Sequence, residues 1–180
     1  MVTVEIILVI IILYIIRKYN KLIKLKNKVK QSESGIDIYL NQRFDLIPNL
    51  IDCVKGYTKH ESGVLENITK MRSEYLKDKH SLKKAQDLNN SINNVLVLAE
   101  AYPELKANGQ YLNLQKSLER IESQLQSARR TYNYDVTVYN TKIETIPTNL
   151  IANMFGMKKA PLFQIEEYKK TNIDVASELN

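Results

Sequence analysis

Residues 2–16 are apolar except at Thr3 and Glu5, and from 6 to 16 the apolar run is unbroken. As a helix this stretch would span about 22 Å, against a bilayer hydrocarbon core of roughly 30 Å. Snorkelling basic side chains and local thinning can absorb such a shortfall. A cleaved signal peptide would need positive charge before the run and small residues after it. Here Arg17-Lys18-Tyr19-Asn20 follows the run, and no Lys or Arg precedes it. The pattern therefore predicts a transmembrane anchor over residues 1–16.

Beyond the anchor, apolar positions step by three and four, the repeat of one helix face. Leu22, Leu25, Val29, Ser32, Ile36, Tyr39, Arg43, Leu46 and Leu50 form the first line, so the anchor helix is expected to continue into the first rod. Pro48 falls inside that line and removes a backbone donor, which predicts a kink or break. The line resumes through Val54, Tyr57, Val64, Ile68, Met71 and Tyr75 and closes in polar residues 77–81, with Ser81 as the expected N-cap of the next helix. Ala85, Leu88, Ile92, Val95, Ala99 and Tyr102 set a third helix. Pro103 ends it, and the helix restarts there or at Asn108-Gly109.

The fourth line is Leu114, Leu118, Ile121, Leu125, Ala128, Tyr132, Val136, Tyr139, Ile143 and Ile146. No Gly or Pro interrupts residues 110–146, enough for a helix of about 55 Å. Pro147 stops it, residues 148–155 read as a short helix, and Gly156 as its C′ residue. Residues 158–180 read as a polar tail. Rods with one apolar and one charged face are not stable alone. The expected fold is therefore all-α: the anchor, a basic juxtamembrane helix over 17–30, and an antiparallel bundle of three to four long, coiled-coil-like helices within 19–157.

Composition agrees with long helices, since the 180 residues hold only 5 Gly and 4 Pro. Charge changes the picture more. The formal net charge is +6, and all of it falls in the first thirty residues, where Arg17, Lys18, Lys21, Lys24, Lys26, Lys28 and Lys30 face one acid, Glu5. The remaining residues balance, so the chain is a neutral body with a basic collar and not a nucleic-acid binder. Positive charge immediately after the anchor predicts the N-terminus outside and the body in the cytoplasm. The collar can also grip anionic headgroups, which makes membrane lipids expected partners.

Little in the sequence points to chemistry. One cysteine, Cys53, and two histidines, His60 and His80, leave no disulfide framework or histidine-rich metal site. The His60-Glu61 pair resembles the start of a zinc helix, but Val64 stands where the second His is needed. No glycine-rich phosphate loop occurs, and no cofactor or small-molecule substrate is implied. Glu119 and Glu122 read as a solvated, salt-bridged face. Tyr132 and Tyr139 fall on the core face, where their hydroxyls need partners. With Arg129, Arg130, Asn133 and Asn140 nearby, the expectation is a polar seam that fixes register or docks another protein.

Several strings, IDIYLNQRFDLIPNLIDCVKGYTKHE at 36–61, YPELKANGQYLNLQKSLERIES at 102–123, ARRTYNYDVTVYN at 128–140 and IETIPTNLIANMFG at 143–156, together resemble the LemA family of bacterial membrane proteins. The resemblance implies one transmembrane helix with a short external N-terminus and a cytoplasmic helical bundle, and no settled activity. It carries family-motif positions, structural or docking, onto Asp37, Arg43, Asp45, Pro48, Asn49, Gly56, Tyr57, Asn108, Arg129, Arg130, Tyr132, Asn133, Tyr139, Asn140, Pro147, Asn149 and Gly156. The expected role is a membrane-tethered, non-enzymatic adaptor with a protein partner, and a homo-oligomer is open. Two alternatives are an enzyme or enzyme-regulatory subunit with a polar site around Asp45, Arg129 and Arg130, and a lipid sensor built on the collar.

Overall fold

The computed structural model describes residues 2–57, 62–78 and 82–163. His60, Glu61, His80, the expected cap Ser81 and the tail from 164 onward lie outside the described residues. Helices run in the order α1 (Val2–Asp45), α2 (Ile47–Lys55), α3 (Ser62–Lys77), α4 (Leu82–Ala99), α5 (Pro103–Lys106), α6 (Gly109–Glu144) and α7 (Thr148–Met154). The protein is all-α, with no strand among the described residues. The regular seam continues at length only along α1 and α6. The short α2, α5 and α7 interrupt it, so a coiled-coil description is not carried over.

Among the described residues no helix is long and apolar enough to cross a membrane. The physical reason lies at both ends of the apolar run. Any 18-residue window over it must take in Glu5, Arg17 and Lys18, or further lysines beyond them. The transmembrane anchor expected over residues 1–16 therefore finds no support as a spanning helix. What the structure shows is the solvent-facing apolar end of a 44-residue helix.

The chain divides into two compact units, one of Met1–Ser32 with Arg129–Asn180, the other of Glu33–Ala128. The second unit holds the break that Pro48 was expected to make. Leu46 leaves the helix, its N–H donating to the Arg43 carbonyl at 3.2 Å, and α2 begins at once with the proline in its first turn. Pro48 is tolerated there because a first-turn N–H has no intrahelical partner anyway. Arg72 of α3 takes up the loose end of α1, donating Nε to the Phe44 carbonyl at 3.0 Å. Phe44 packs edge-on against Tyr75, ring centroids 4.7 Å apart. Buried Ile47, Leu50, Val54, Leu65, Ile68, Leu88, Ile92, Val95 and Leu105 fill the rest of this core.

The buried faces follow the predicted lines closely. Ala85, Leu88, Ile92, Val95 and Ala99 on α4 are all buried, as are Leu114, Leu118, Ile121 and Leu125 on α6. Two positions depart. Val64 is exposed and Leu65 buried in its place, because the break after α2 resets the phase of α3. Ile146 is exposed because α6 ends two residues before it.

Asn108 sets the start of α6. Its Oδ1 accepts from the N–H groups of Gln110 (2.8 Å) and Tyr111 (3.1 Å), satisfying two first-turn donors. Its Nδ2 donates to the Tyr57 hydroxyl at 2.9 Å, tying the cap to the end of α2. Replacing Asn108 by Ala removes both roles. The expected loss is about 1–2 kcal/mol of unfolding free energy, read from urea melts of the purified chain. A change within error would show that the cap is solvated without loss.

Candidate functional site

In the first unit, α6 is followed by α7, which ends in Gly156 at φ +61°, the left-handed conformation that glycine adopts without penalty. The Met157 N–H donates to the Ala152 carbonyl at 2.9 Å and the Gly156 N–H to that of Asn153 at 3.1 Å, a Schellman closure. This turn sends residues 157–163 back along α6, antiparallel to it. Residues 157–163, where the polar tail was expected to begin, form a strap.

Five residues singled out as a polar seam hold the strap. The Tyr139 hydroxyl donates to the Lys158 carbonyl at 3.0 Å, and the Tyr132 hydroxyl to that of Pro161 at 2.9 Å. Burial pushes the Tyr139 hydroxyl up, which keeps it a donor. Asn140 reads both backbone groups of Ala160, Nδ2 donating to its carbonyl at 2.9 Å and Oδ1 accepting from its N–H at 2.9 Å. Asn133 does the same to Phe163, at 3.0 and 2.7 Å. The Arg129 guanidinium sits 4.8 Å from the centre of the Phe163 ring.

The spacing explains why two asparagines suffice. Seven residues of helix advance about 10.5 Å. Three residues of extended chain advance about 10 Å. Asn133 and Asn140 therefore meet Ala160 and Phe163 in register. Pro161 helps, because the residue before a proline is biased to extended backbone.

The same unit carries the apolar end and the collar. Every apolar side chain from Val2 to Ile16 except Ile15 is exposed, between 42% and 68%. Further along α1, Tyr19 packs on Phe155 after α7, ring centroids 4.4 Å apart, and Leu22 and Val29 are buried. Arg17, Lys21, Lys24, Lys26, Lys28 and Lys30 point outward, and Lys18 lies 5.0 Å from the Tyr14 ring centre. Lys28 is committed to a protein partner: its ammonium lies 3.0 Å from the carboxylate of Asp135, which is only 4% exposed. The hydrogen bond to Asp135 holds the Lys28 ammonium above its usual value.

Two of the three residues of the expected alternative site have their own structural partner. Asp45 pairs with Arg72 at 3.4 Å on an exposed surface. Arg129 stacks on Phe163, and Arg130 is exposed on α6. Arg43, a charged residue on an apolar line, is 2% exposed, pairs with Glu122 and donates to Asn93 Oδ1 at 2.8 Å. The solvated face expected for Glu119 and Glu122 thus divides. Glu119 accepts from Gln115 at 3.0 Å, while Glu122 turns toward the core. Asp37 faces Tyr75, whose hydroxyl is pushed up first by burial and then by that carboxylate. Asn49 is exposed, Gly56 closes α2, and the Asn149 side chain accepts from the Leu150 N–H at 2.8 Å. Pro147, joined to Ile146 by a cis peptide bond, precedes α7. Burial raises the Cys53 thiol, which keeps it protonated and a poor nucleophile.

Sequence reasoning missed Asp135, Asn93 and the strap. Asp135 stands three residues after Tyr132 and four before Tyr139, so its place on the core face could have been read from spacing. Nothing in residues 158–163 marks them as held, since the holding groups all lie on α6.

A family model described as the LemA family matches residues 32–176. Protein LemA of Metamycoplasma hominis is 29% identical over 167 residues, covering 91% of this chain and 76% of that protein. Magnetosome protein MamQ 2 of Paramagnetospirillum magneticum is 20% identical over 179 residues, 83% of this chain and 66% of that one. Magnetosome protein MamQ of Magnetospirillum gryphiswaldense is 18% identical over 185 residues, 87% and 68% respectively.

Two variants probe these contacts. Asn133→Ala with Asn140→Ala removes all four backbone-reading bonds. Limited proteolysis within residues 157–163 should then become at least about tenfold faster with helical circular dichroism unchanged. Arg43→Ala should lower stability by about 3 kcal/mol in urea melts, the low end for a broken buried pair because Glu122 keeps a quarter of its surface in water.

Proposed function

The chain belongs to the LemA family, and from that footing we propose that it is a non-enzymatic adaptor, tethered to a bacterial plasma membrane by the apolar end of α1, whose body docks proteins at the cytoplasmic face. The observation that carries this reading is the exposed apolar helix end at residues 2–16. Each fully buried aliphatic side chain is worth roughly 1.5–3 kcal/mol, so that end has a strong drive to leave water. The basic collar follows directly and suits the headgroup layer of the more anionic leaflet. The helix reaches the opposite interface only with the bilayer thinned around it, Arg17 and Lys18 snorkelling at the near side.

The non-enzymatic part rests on how the polar groups are used. Asp45 holds Arg72, Arg129 holds a ring, Arg43 is neutralised in a core, and the tyrosines hold backbone. These are structural duties, and a docking role fits a body whose charges balance.

Flotation with phospholipid vesicles tests the tether. The full chain should co-float and resist alkaline extraction, and Ile10→Lys with Leu13→Lys should release it, each lysine opposing insertion by about 2.5–3.5 kcal/mol. A wild-type chain that stays in the soluble fraction overturns the tether. Topology is read by Thr3→Cys in a Cys53→Ser background. An impermeant maleimide should label it on intact cells, and labelling only after permeabilisation overturns the crossing orientation.

A further inference from the structure

The strap is held in an unusual way for a segment that only seals a fold. Four of its contacts go to its own backbone N–H and carbonyl groups through Asn133 and Asn140, and two more to carbonyls through Tyr132 and Tyr139. Its side chains contribute little. Lys158, Lys159 and Pro161 are exposed, and Leu162, the aliphatic residue a sealing segment would bury, is 50% exposed. The exceptions are Phe163, stacked under Arg129, and Lys159, whose ammonium pairs with Glu144 at the end of α6.

A surface that reads backbone accepts many sequences, much as strand addition to a sheet edge does. What it selects is conformation and one ring: an extended segment with an aromatic residue three positions after the first residue read by asparagine. From this the geometry points to a peptide-binding groove on α6, spanning Arg129 to Asn140, that takes an extended, aromatic-bearing segment of a partner protein. The strap is its ligand in cis and shields the groove until displaced. The inference deepens the adaptor reading above by naming the partner's chemistry, and it rests on that reading.

Displacement is physically accessible. The strap is joined to the fold through Gly156, and replacing its bonds with those of an incoming backbone conserves their number. An incoming segment competes with a tethered one, so the unaltered chain should bind weakly, and loosening the strap should reveal the affinity.

The test uses the full chain in detergent micelles and a fluorescently labelled synthetic peptide of the strap's sequence, Lys-Lys-Ala-Pro-Leu-Phe. Ala160→Pro with Phe163→Ala loosens the strap, removing the N–H that Asn140 accepts from and the ring under Arg129. This variant should bind the peptide at least about tenfold more tightly than the wild type. Adding Asn133→Asp, which keeps shape and loses the donor, should weaken binding about tenfold again. A peptide with Ala for Phe should bind as poorly.

A folded, strap-loosened chain that binds no peptide at millimolar concentration overturns the proposal, as does binding indifferent to Asn133. Self-association of that variant without peptide overturns it in favour of a second copy as the occupant. If the variant does not fold, amide exchange at Ala160 and Phe163 in the wild-type chain decides. Excess peptide should accelerate both, and unchanged protection overturns the groove. Peptide binding lost while vesicle flotation persists removes the groove and leaves the tether standing, and the reverse pattern removes the tether alone.

Discussion

A polar group taken out of water must find a partner, and that constraint organises the structure around a handful of residues on otherwise apolar helix faces. Arg43 on α1 is met by Glu122 and Asn93. Asp135 on α6 is met by Lys28. Each pairing is possible at only one axial position of its helices, whereas aliphatic side chains would tolerate a slide of one turn. Leucines and isoleucines supply the drive to pack, and the few buried polar groups select the register in which they do so. The strap obeys the same rule from the other side. Tyr132, Asn133, Tyr139 and Asn140 bring polar atoms to a face that would otherwise be apolar, and an extended backbone satisfies all of them at once.

This rule also explains what the sequence could and could not reveal. Helical lines were readable wherever a single repeat ran uninterrupted, and so the buried faces of α4 and α6 matched expectation almost residue for residue. Expectation failed where a line was carried across a break. Val64 was placed in phase with Val54, but α3 starts afresh after α2 and buries Leu65. The candidate site was half legible. Spacing put Tyr132 and Tyr139 inward and so demanded partners for their hydroxyls. The partners themselves are backbone groups of residues 158–163, and a backbone group has no signature in a sequence. Glu122 was misjudged for a related reason. It flanks the apolar line, where a carboxylate faces solvent unless a neighbouring helix presents a cation, and Arg43 is 79 positions away in the chain.

The apolar end of α1 follows a different logic from the rest of the molecule. Elsewhere an apolar residue at helical spacing has a polar opposite face. Residues 6–16 are apolar all round, so no packing on a single neighbour could cover them. A helix of that kind requires an apolar surround on every side, which a bilayer supplies and one protein surface does not. Length is the opposing term, because Glu5 and the Arg17-Lys18 pair cut the run short of a comfortable span. The tether proposed for this end therefore sets burial against mismatch, a fractional kcal/mol per Å against a much larger transfer term.

The first unit thus brings together three features that answer to different environments: an end that suits lipid, a collar that suits headgroups, and a strap seat that suits extended backbone. The family match begins at residue 32, beyond the apolar end and the collar, yet it extends through the strap to 176. The matched range therefore spans both asparagines and the chain they hold, while the apolar end and collar lie outside it. A tether needs only hydrophobic length and basic charge, properties that many sequences satisfy. A backbone-reading seat needs two asparagines seven residues apart on a helix and a turn that returns the chain along it. Features of that second kind tie particular residues to particular positions, and the docking role proposed for this protein draws its specificity from them.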